Sequence, residues 1–280
     1  MIIYISLDME GICGTYNWEQ ETKDRSSVIY AITKQMEYVV EGIRQSDKNH
    51  LISDIIIADS HSSGDNLPWS FSEKDSRISI LSGSPRPYYM MPGFSEEIDR
   101  VFLIGYHAGT GAYQGNMDHT YSNRRVHRIS VNDIPMNEAF LNTAYASCFK
   151  VPVVLVSGDA CLKQEMLAND KMPWIEFIET KKAVSKFAAL NYSAERVKID
   201  TIEKVKNALK KDRAEYPLYH FQKPFSLKIT FNSSSFADVA QMIPYSVRLD
   251  GRTLEFKADD YQIIFETMMA MITLTYTVNP

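Results

Sequence analysis

Ser6-Leu7-Asp8-Met9-Glu10-Gly11 sets two carboxylates two residues apart near the start of the chain. In extended backbone that spacing turns both side chains to one face, and Gly11 lets the chain turn after them. Imidazoles arrive from two other places, His61 in Asp59-Ser60-His61 and His107 in Gly105-Tyr106-His107. Glu138 stands in the first turn of an apolar-periodic segment, with Asn142 at i+4 on the same helix face. Three carboxylates and two imidazoles form a donor set for two divalent cations. Asp8, Glu10 and Glu138 bring three negative charges against four positive, and the remaining charge suits a bridging hydroxide. Metal binding lowers a water's pKa to about 7, which makes such a hydroxide a nucleophile at neutral pH. Singly, each residue has a plainer reading: acidic residues after a first strand often cap helices, and one histidine is more often simply hydrogen-bonded. Their joint occurrence at successive strand ends points to the metal site.

His119 lies in Gly115-Asn116-Met117-Asp118-His119-Thr120, a glycine-containing connection shortly after His107. Such a segment suits a general base or a nucleophile. His127 alternates with Ile129 and Val131 and reads as a structural side chain on a strand; His50 and His220 sit in polar stretches and read as solvated. Gly109-Thr110-Gly111-Ala112-Tyr113-Gln114-Gly115 is not a dinucleotide fingerprint and reads as a mobile loop near the mouth of the site. There is no G-x-x-x-x-G-K, H-E-x-x-H or G-x-S-x-G pattern, against a P-loop, a zincin and a nucleophile elbow. Cys13, Cys148 and Cys161 are too few and too scattered for a disulfide framework or a thiolate zinc site.

The elements that must carry these residues alternate. Short β-branched runs at Ile2–Leu7 and 54–58 flank a segment in which Val28, Ile32, Met36, Val39, Val40 and Ile43 mark one helix face, so the chain opens as a β-α-β unit. Strands are expected at 78–81, 101–105, 127–131 and 152–157, with a helix over 137–147. Strands mixed with helices imply a sheet covered on both faces, a three-layer α/β domain over residues 1–190. Residues 191–280 read as a smaller two-layer α+β domain that would supply oligomer contacts. It would hold a charged helix from about 193 to 211, a strand at 226–231, a short helix around Ala237, a hairpin and a methionine-rich helix from 259 to about 274. Asp250-Gly251 between apolar runs predicts a type I′ turn. Tyr88-Tyr89-Met90-Met91 and the Met268-Met269-Met271 cluster read as core or subunit contacts. Lys and Arg number 30 against 35 Asp and Glu, a net charge of −5, so no global field draws a polyanion and nucleic acid is not an expected partner. No stretch approaches the ~20 apolar residues of a membrane span. The start of the chain has no basic segment of the secretory kind, so a cytoplasmic location is expected.

With these segments in hand the chain resembles the D-aminopeptidase family, dizinc enzymes of the dipeptide-transport-protein type. Ser6-Leu7-Asp8-Met9-Glu10-Gly11 resembles the family's S-x-D-x-E-G signature, and Asp59-Ser60-His61 and Gly105-Tyr106-His107-Ala108 are similar to its D-S-H and G-Y-H-A segments. Asp118-His119-Thr120 looks like its second histidine segment, Asn137-Glu138-Ala139 like its glutamate segment, and Ser185-Lys186-Phe187-Ala188-Ala189 like a later stretch. The resemblance implies a Rossmann-like domain plus a smaller sandwich, and two zinc ions per chain. Asp8 would bridge them, with Glu10 and His61 completing one site and His107 and Glu138 the other. His119 would be the catalytic nucleophile or base. It also implies release of an N-terminal D-amino acid from short peptides by a ring-forming homo-oligomer, a decamer being one ring size to test. Asp118, directly before His119, departs from the small polar residue of some members and could alter that histidine's proton affinity. Two other readings use the same residues: a dinuclear-metal hydrolase of another amide or a phosphoester, which lacks an accompanying Arg/Lys cluster, and a catalytically inert, metal-stabilised assembly protein.

Overall fold

The structure, a computed structural model, describes residues 1–168 and 171–278. The chain runs through β1 (Ile2–Leu7), α1 (Gln20–Lys23), α2 (Arg25–Arg44), β2 (Asp54–Asp59), β3 (Ile78–Leu81) and β4 (Arg100–Tyr106). It continues through β5 (Val126–Val131), β6 (Ile134–Pro135), α3 (Glu138–Cys148), β7 (Val153–Asp159), α4 (Ala160–Leu167), β8 (Glu176–Ser185) and β9 (Ala188–Asn191). Last come α5 (Ala194–Ala208), β10 (Phe225–Phe231), α6 (Ser234–Ala240), β11 (Val247–Arg248), β12 (Thr253–Ala258) and α7 (Tyr261–Leu274).

The larger sheet has the order β3-β2-β1-β4-β7-β8-β9, parallel at every pair except β8 with β9. Parallel neighbours need crossovers, and these place helices on both faces. Strand alternation divides the core accordingly: Ile3, Ile5 and Leu7 meet α2 and α5 on one side, while Tyr4, Val101 and Leu103 face α3 and α4 on the other. Each such fully buried aliphatic side chain contributes roughly 1.5–3 kcal/mol. The result is the expected Rossmann-like three-layer architecture. The strand order reverses between β1 and β4, the position at which open α/β sheets leave a crevice.

The smaller sheet, β11-β12-β10-β5-β6, is antiparallel throughout. α6 and α7 pack on it, and α7 also meets α3, so both sheets share one core. The strand expected over 127–131 forms, but in this sheet: β5 pairs with β10. Its exposed His127 and Arg128 explain the placement, since a doubly covered parallel sheet would bury them. Conversely α5, expected in the C-terminal unit, packs on α2 and β8 of the larger one. Residue 190 therefore does not separate the two sheets.

The Asp250-Gly251 hairpin forms without the expected type I′ turn. Neither residue takes a positive φ. Instead the Asp250 carboxylate accepts the N–H groups of Arg252 and Thr253, at 2.7 and 2.9 Å, and Leu249 N–H closes the loop on Thr253 O at 2.9 Å.

Two glycines hold the ends of β1 and β4 together. A Cβ on Gly105, at φ +78°, would lie 2.1 Å from the Asp8 carbonyl oxygen, and one on Gly11 would lie 1.9 Å from that of Tyr106. The contact lets Gly11 N–H donate to Gly105 O at 2.6 Å.

Candidate metal centre

The side chains of the cluster come from strand ends and a helix start around the reversal point. Asp8 and Glu10 follow β1, His61 follows β2, His107 follows β4, and Glu138 opens α3 behind Asn137, whose side chain caps that helix by accepting Phe140 N–H at 2.8 Å. Asp59 is not part of the cluster. Its carboxylate accepts Asn66 N–H at 2.6 Å and Leu67 N–H at 2.8 Å, folding the loop that carries His61, and Asn66 Nδ2 donates to His61 O at 2.9 Å. Ser6, which shares a face with Asp8 and Glu10, lies in the floor, bonded to Ser60 Oγ at 2.8 Å and Tyr106 Oη at 2.7 Å. Asn142 stands behind Glu138 and binds the Tyr106 and Tyr121 hydroxyls.

His61 Nδ1 lies 3.1 Å from Asp8 Oδ1 and 3.0 Å from Glu10 Oε2. His107 Nε2 lies 3.5 Å from both Asp8 Oδ2 and Glu138 Oε1. His119 Nε2 is 3.7 Å from Glu138 Oε1 and 3.9 Å from Glu10 Oε1. Three-residue groupings able to hold a cation are Asp8 with Glu10 and His61, Asp8 with His107 and Glu138, and Glu10 with His107 and His119. Asp8 is common to the first two.

Buried polar atoms normally have partners. Here Asp8 Oδ2, Glu10 Oε2 and His107 Nε2 are buried without a hydrogen bond, and all three belong to proposed ligands. The donor set and its orphaned atoms fit a divalent cation pair. Around them, the remaining bonds fix orientation: Glu10 Oε1 accepts Trp18 Nε1–H at 2.7 Å, and Glu138 Oε1 accepts Tyr121 N–H at 2.6 Å. His107 and His119 donate Nδ1–H to Ala108 O and Met117 O, each at 3.0 Å, leaving both Nε2 lone pairs toward the carboxylates. Their rings stack with centroids 4.2 Å apart.

Burial and the Glu10 charge push the Asp8 carboxyl up to about 8. Burial also opposes ionisation of Glu10, but His61, His119 and His107 outweigh it and hold that carboxyl well below its usual range. For His107, burial disfavours the cation, and the carboxylates led by Glu138 overcome it to bring the pKa to about 10. His119 moves down, through burial and the charge of His107. The cluster thus retains protons where a divalent cation would displace them.

Asp118 does not face the cluster. Its carboxylate pairs with Lys186 Nζ at 3.0 Å and accepts Gly111 N–H at 2.7 Å. The Gly109–Gly111 segment does not line the mouth either; it borders a separate cavity of about 370 Å³ with His127 and Glu165. Over the cluster itself lies a cavity of about 290 Å³ whose walls include Trp18, Glu21, Tyr89, Arg124 and Tyr276. None of these five was legible as a site residue. Trp18 and Glu21 belong to a turn and a four-residue helix without apolar periodicity, so no local pattern marks them. His50 and His220 are exposed and apart, as expected, and His127 lies on strand β5 as read but is exposed as well.

The D-aminopeptidase family model matches residues 1–270. A D-aminopeptidase of Bacillus subtilis (strain 168) is 26% identical over 280 residues, spanning 98% of this chain and 97% of the relative. The solved Zn-dependent D-aminopeptidase DppA from Bacillus subtilis, a self-compartmentalizing protease, shares the fold over 100% of both chains, with a TM-score of 0.88 at 24% identity. A match along almost the whole chain, joined to the clustered carboxylates and imidazoles, makes this chain a metallo-aminopeptidase that belongs to the D-aminopeptidase family.

Proposed function

We propose that the chain binds two zinc ions and releases the N-terminal residue, a D-amino acid, from short peptides. The observation that carries this reading is the sharing of Asp8 between two three-residue groupings, within which Asp8 Oδ2, Glu10 Oε2 and His107 Nε2 are buried without a hydrogen bond. Asp8 would serve both ions, with Glu10 and His61 holding one and His107 and Glu138 the other. When bound, the ions supply Lewis-acid stabilisation of the scissile carbonyl as it takes on negative charge. The protein orients that chemistry. Trp18 and the Tyr121 amide fix the carboxylates, and the aromatic and acidic walls exclude bulk water. His119 is held by Met117 O with Nε2 open and with its proton affinity lowered, the state needed to accept a proton or attack.

The restricted cavity and the family support short peptides over another amide or a phosphoester. Self-assembly into a ring is supported by the relative described as self-compartmentalizing and by exposed Met242, Tyr245, Val247 and Leu249 along and beside edge strand β11. A reducing cytoplasm suits three free cysteines. The deciding experiment counts zinc per chain and follows amino-acid release from matched D- and L-alanyl dipeptides. Two ions with D-selective release are expected; two ions with no release from either peptide would transfer the site to another substrate.

A further inference from the structure

Two consecutive arginines beside the cavity are used differently. Arg125 is built into the protein: its guanidinium donates to Val278 O at 2.9 Å and lies over the Phe236 and Tyr276 rings at 4.5 and 5.0 Å. Arg124 is exposed, lines the cavity, and makes no hydrogen bond or ion pair among the described residues. Among the described residues it is also the only Lys or Arg lining that cavity; the other charged walls are Asp8, Glu10, Glu21 and Glu138, with the imidazoles of His61 and His119. Three of those four carboxylates are claimed by the metal ions in the reading above, on which this inference rests. The fourth, Glu21, lies 3.3 Å from His61 Nε2, which leaves a small cavity with a cation at its rim that no carboxylate pairs with.

We propose that Arg124 binds the C-terminal carboxylate of a short peptide whose N-terminal bond lies at the metal ions. The chemistry is direct. A dipeptide carries a free carboxylate close behind its scissile bond, and a guanidinium is the side chain best shaped to grip one through two parallel hydrogen bonds. At about 290 Å³ the cavity lies at the lower end of small-molecule sites. Length selection then has an electrostatic origin as well as a steric one: a longer peptide carries its carboxylate past Arg124 and places a neutral peptide group there instead.

The test compares D-alanyl-D-alanine with its C-terminal amide on zinc-loaded protein, wild type against Arg124→Gln and Arg124→Lys. Turnover is measured directly, and peptide affinity is measured in a His119→Ala background so that hydrolysis does not consume the ligand. Wild type is expected to favour the free acid by about 10- to 100-fold, the worth of a hydrogen bond to a charged group. Arg124→Gln should lose that preference, chiefly through KM, while leaving the amide and the zinc content unchanged; Arg124→Lys should retain part of it. An acid-to-amide ratio unaltered in Arg124→Gln overturns the proposal. A ratio that collapses in binding while neither peptide is cleaved by wild type supports the carboxylate subsite and removes the aminopeptidase reading instead.

Discussion

Glu21 takes the ring nitrogen that His61 does not turn to the cluster: its Oε2 lies 3.3 Å from Nε2, while Nδ1 faces Asp8 and Glu10. With a cation at Nδ1, this carboxylate–imidazole order would fix ring orientation and raise ligand basicity. Glu21→Gln should therefore weaken zinc binding by about 10- to 100-fold in chelator competition; an unchanged dissociation constant would reduce Glu21 to a wall residue. His119→Ala should abolish turnover and keep the zinc, whereas Asp8→Asn should release both ions, since one bridging carboxylate supports each. Retention of a single ion by the Asp8 variant would contradict the bridge. Five of the six cluster residues could be picked out because each follows a strong strand signal or opens a helix, and His119 because it is a histidine in a glycine-containing connection close behind His107. Glu21 and Trp18 could not, because their approach depends on how α1 folds back over the sheet.

The β8–β9 hairpin, absent from the sequence-based strands because β8 mixes charges into its apolar pattern, does two things for the site. Its tip grips the segment that carries His119: Lys186 O accepts Met117 N–H at 2.7 Å and Asn116 Nδ2–H at 2.9 Å, and Lys186 Nζ donates to Asp118 O at 2.6 Å. Trp18 is wedged edge-on between His119 and Phe187. The Ser185–Ala189 segment thus acquires a role its pattern alone did not suggest. Lys186→Met should lower kcat by up to about 100-fold through misplacement of His119, with zinc content intact and Lys186→Arg partly restoring the rate. Equal loss of zinc and activity would make the contact a general prop. Within β8, burial depresses Lys181 to about 7 although Asp159, Cys13 and Glu10 favour its charge, and its Nζ donates to Thr15 Oγ1 at 3.0 Å. An unfolded lysine stays protonated to roughly 10.4, so the unfolded chain binds the extra proton between those values and stability should rise with pH across that window. Denaturant unfolding of Lys181→Met should show a flatter profile from pH 7 to 10; the same slope in both proteins would assign it elsewhere.

At the scale of the molecule, the three-layer class was legible because parallel strands buried on both faces announce themselves as short apolar runs. The exchange of β5 into the second sheet was not, since pairing partners far apart in sequence leave no local mark. Saturating zinc should raise the melting temperature by mass action, and an unchanged melting temperature would mean that the cluster does not prefer the folded state. If the apolar rim at β11 is an assembly surface, Tyr245→Glu, at a residue 91% exposed, should reduce particle size in sedimentation without changing monomer stability; an unaltered particle would place the contact on another face. The chain leaves the larger sheet after β4, enters the smaller one at β5, and returns after β6. His119 rides the outward crossing and Glu138 the return. During synthesis, β5 waits for β10, which emerges long after Glu138 has left the ribosome. A chain synthesised only as far as residue 224 would therefore carry all six cluster residues while β5, between His119 and Glu138, still lacks its β10 neighbour.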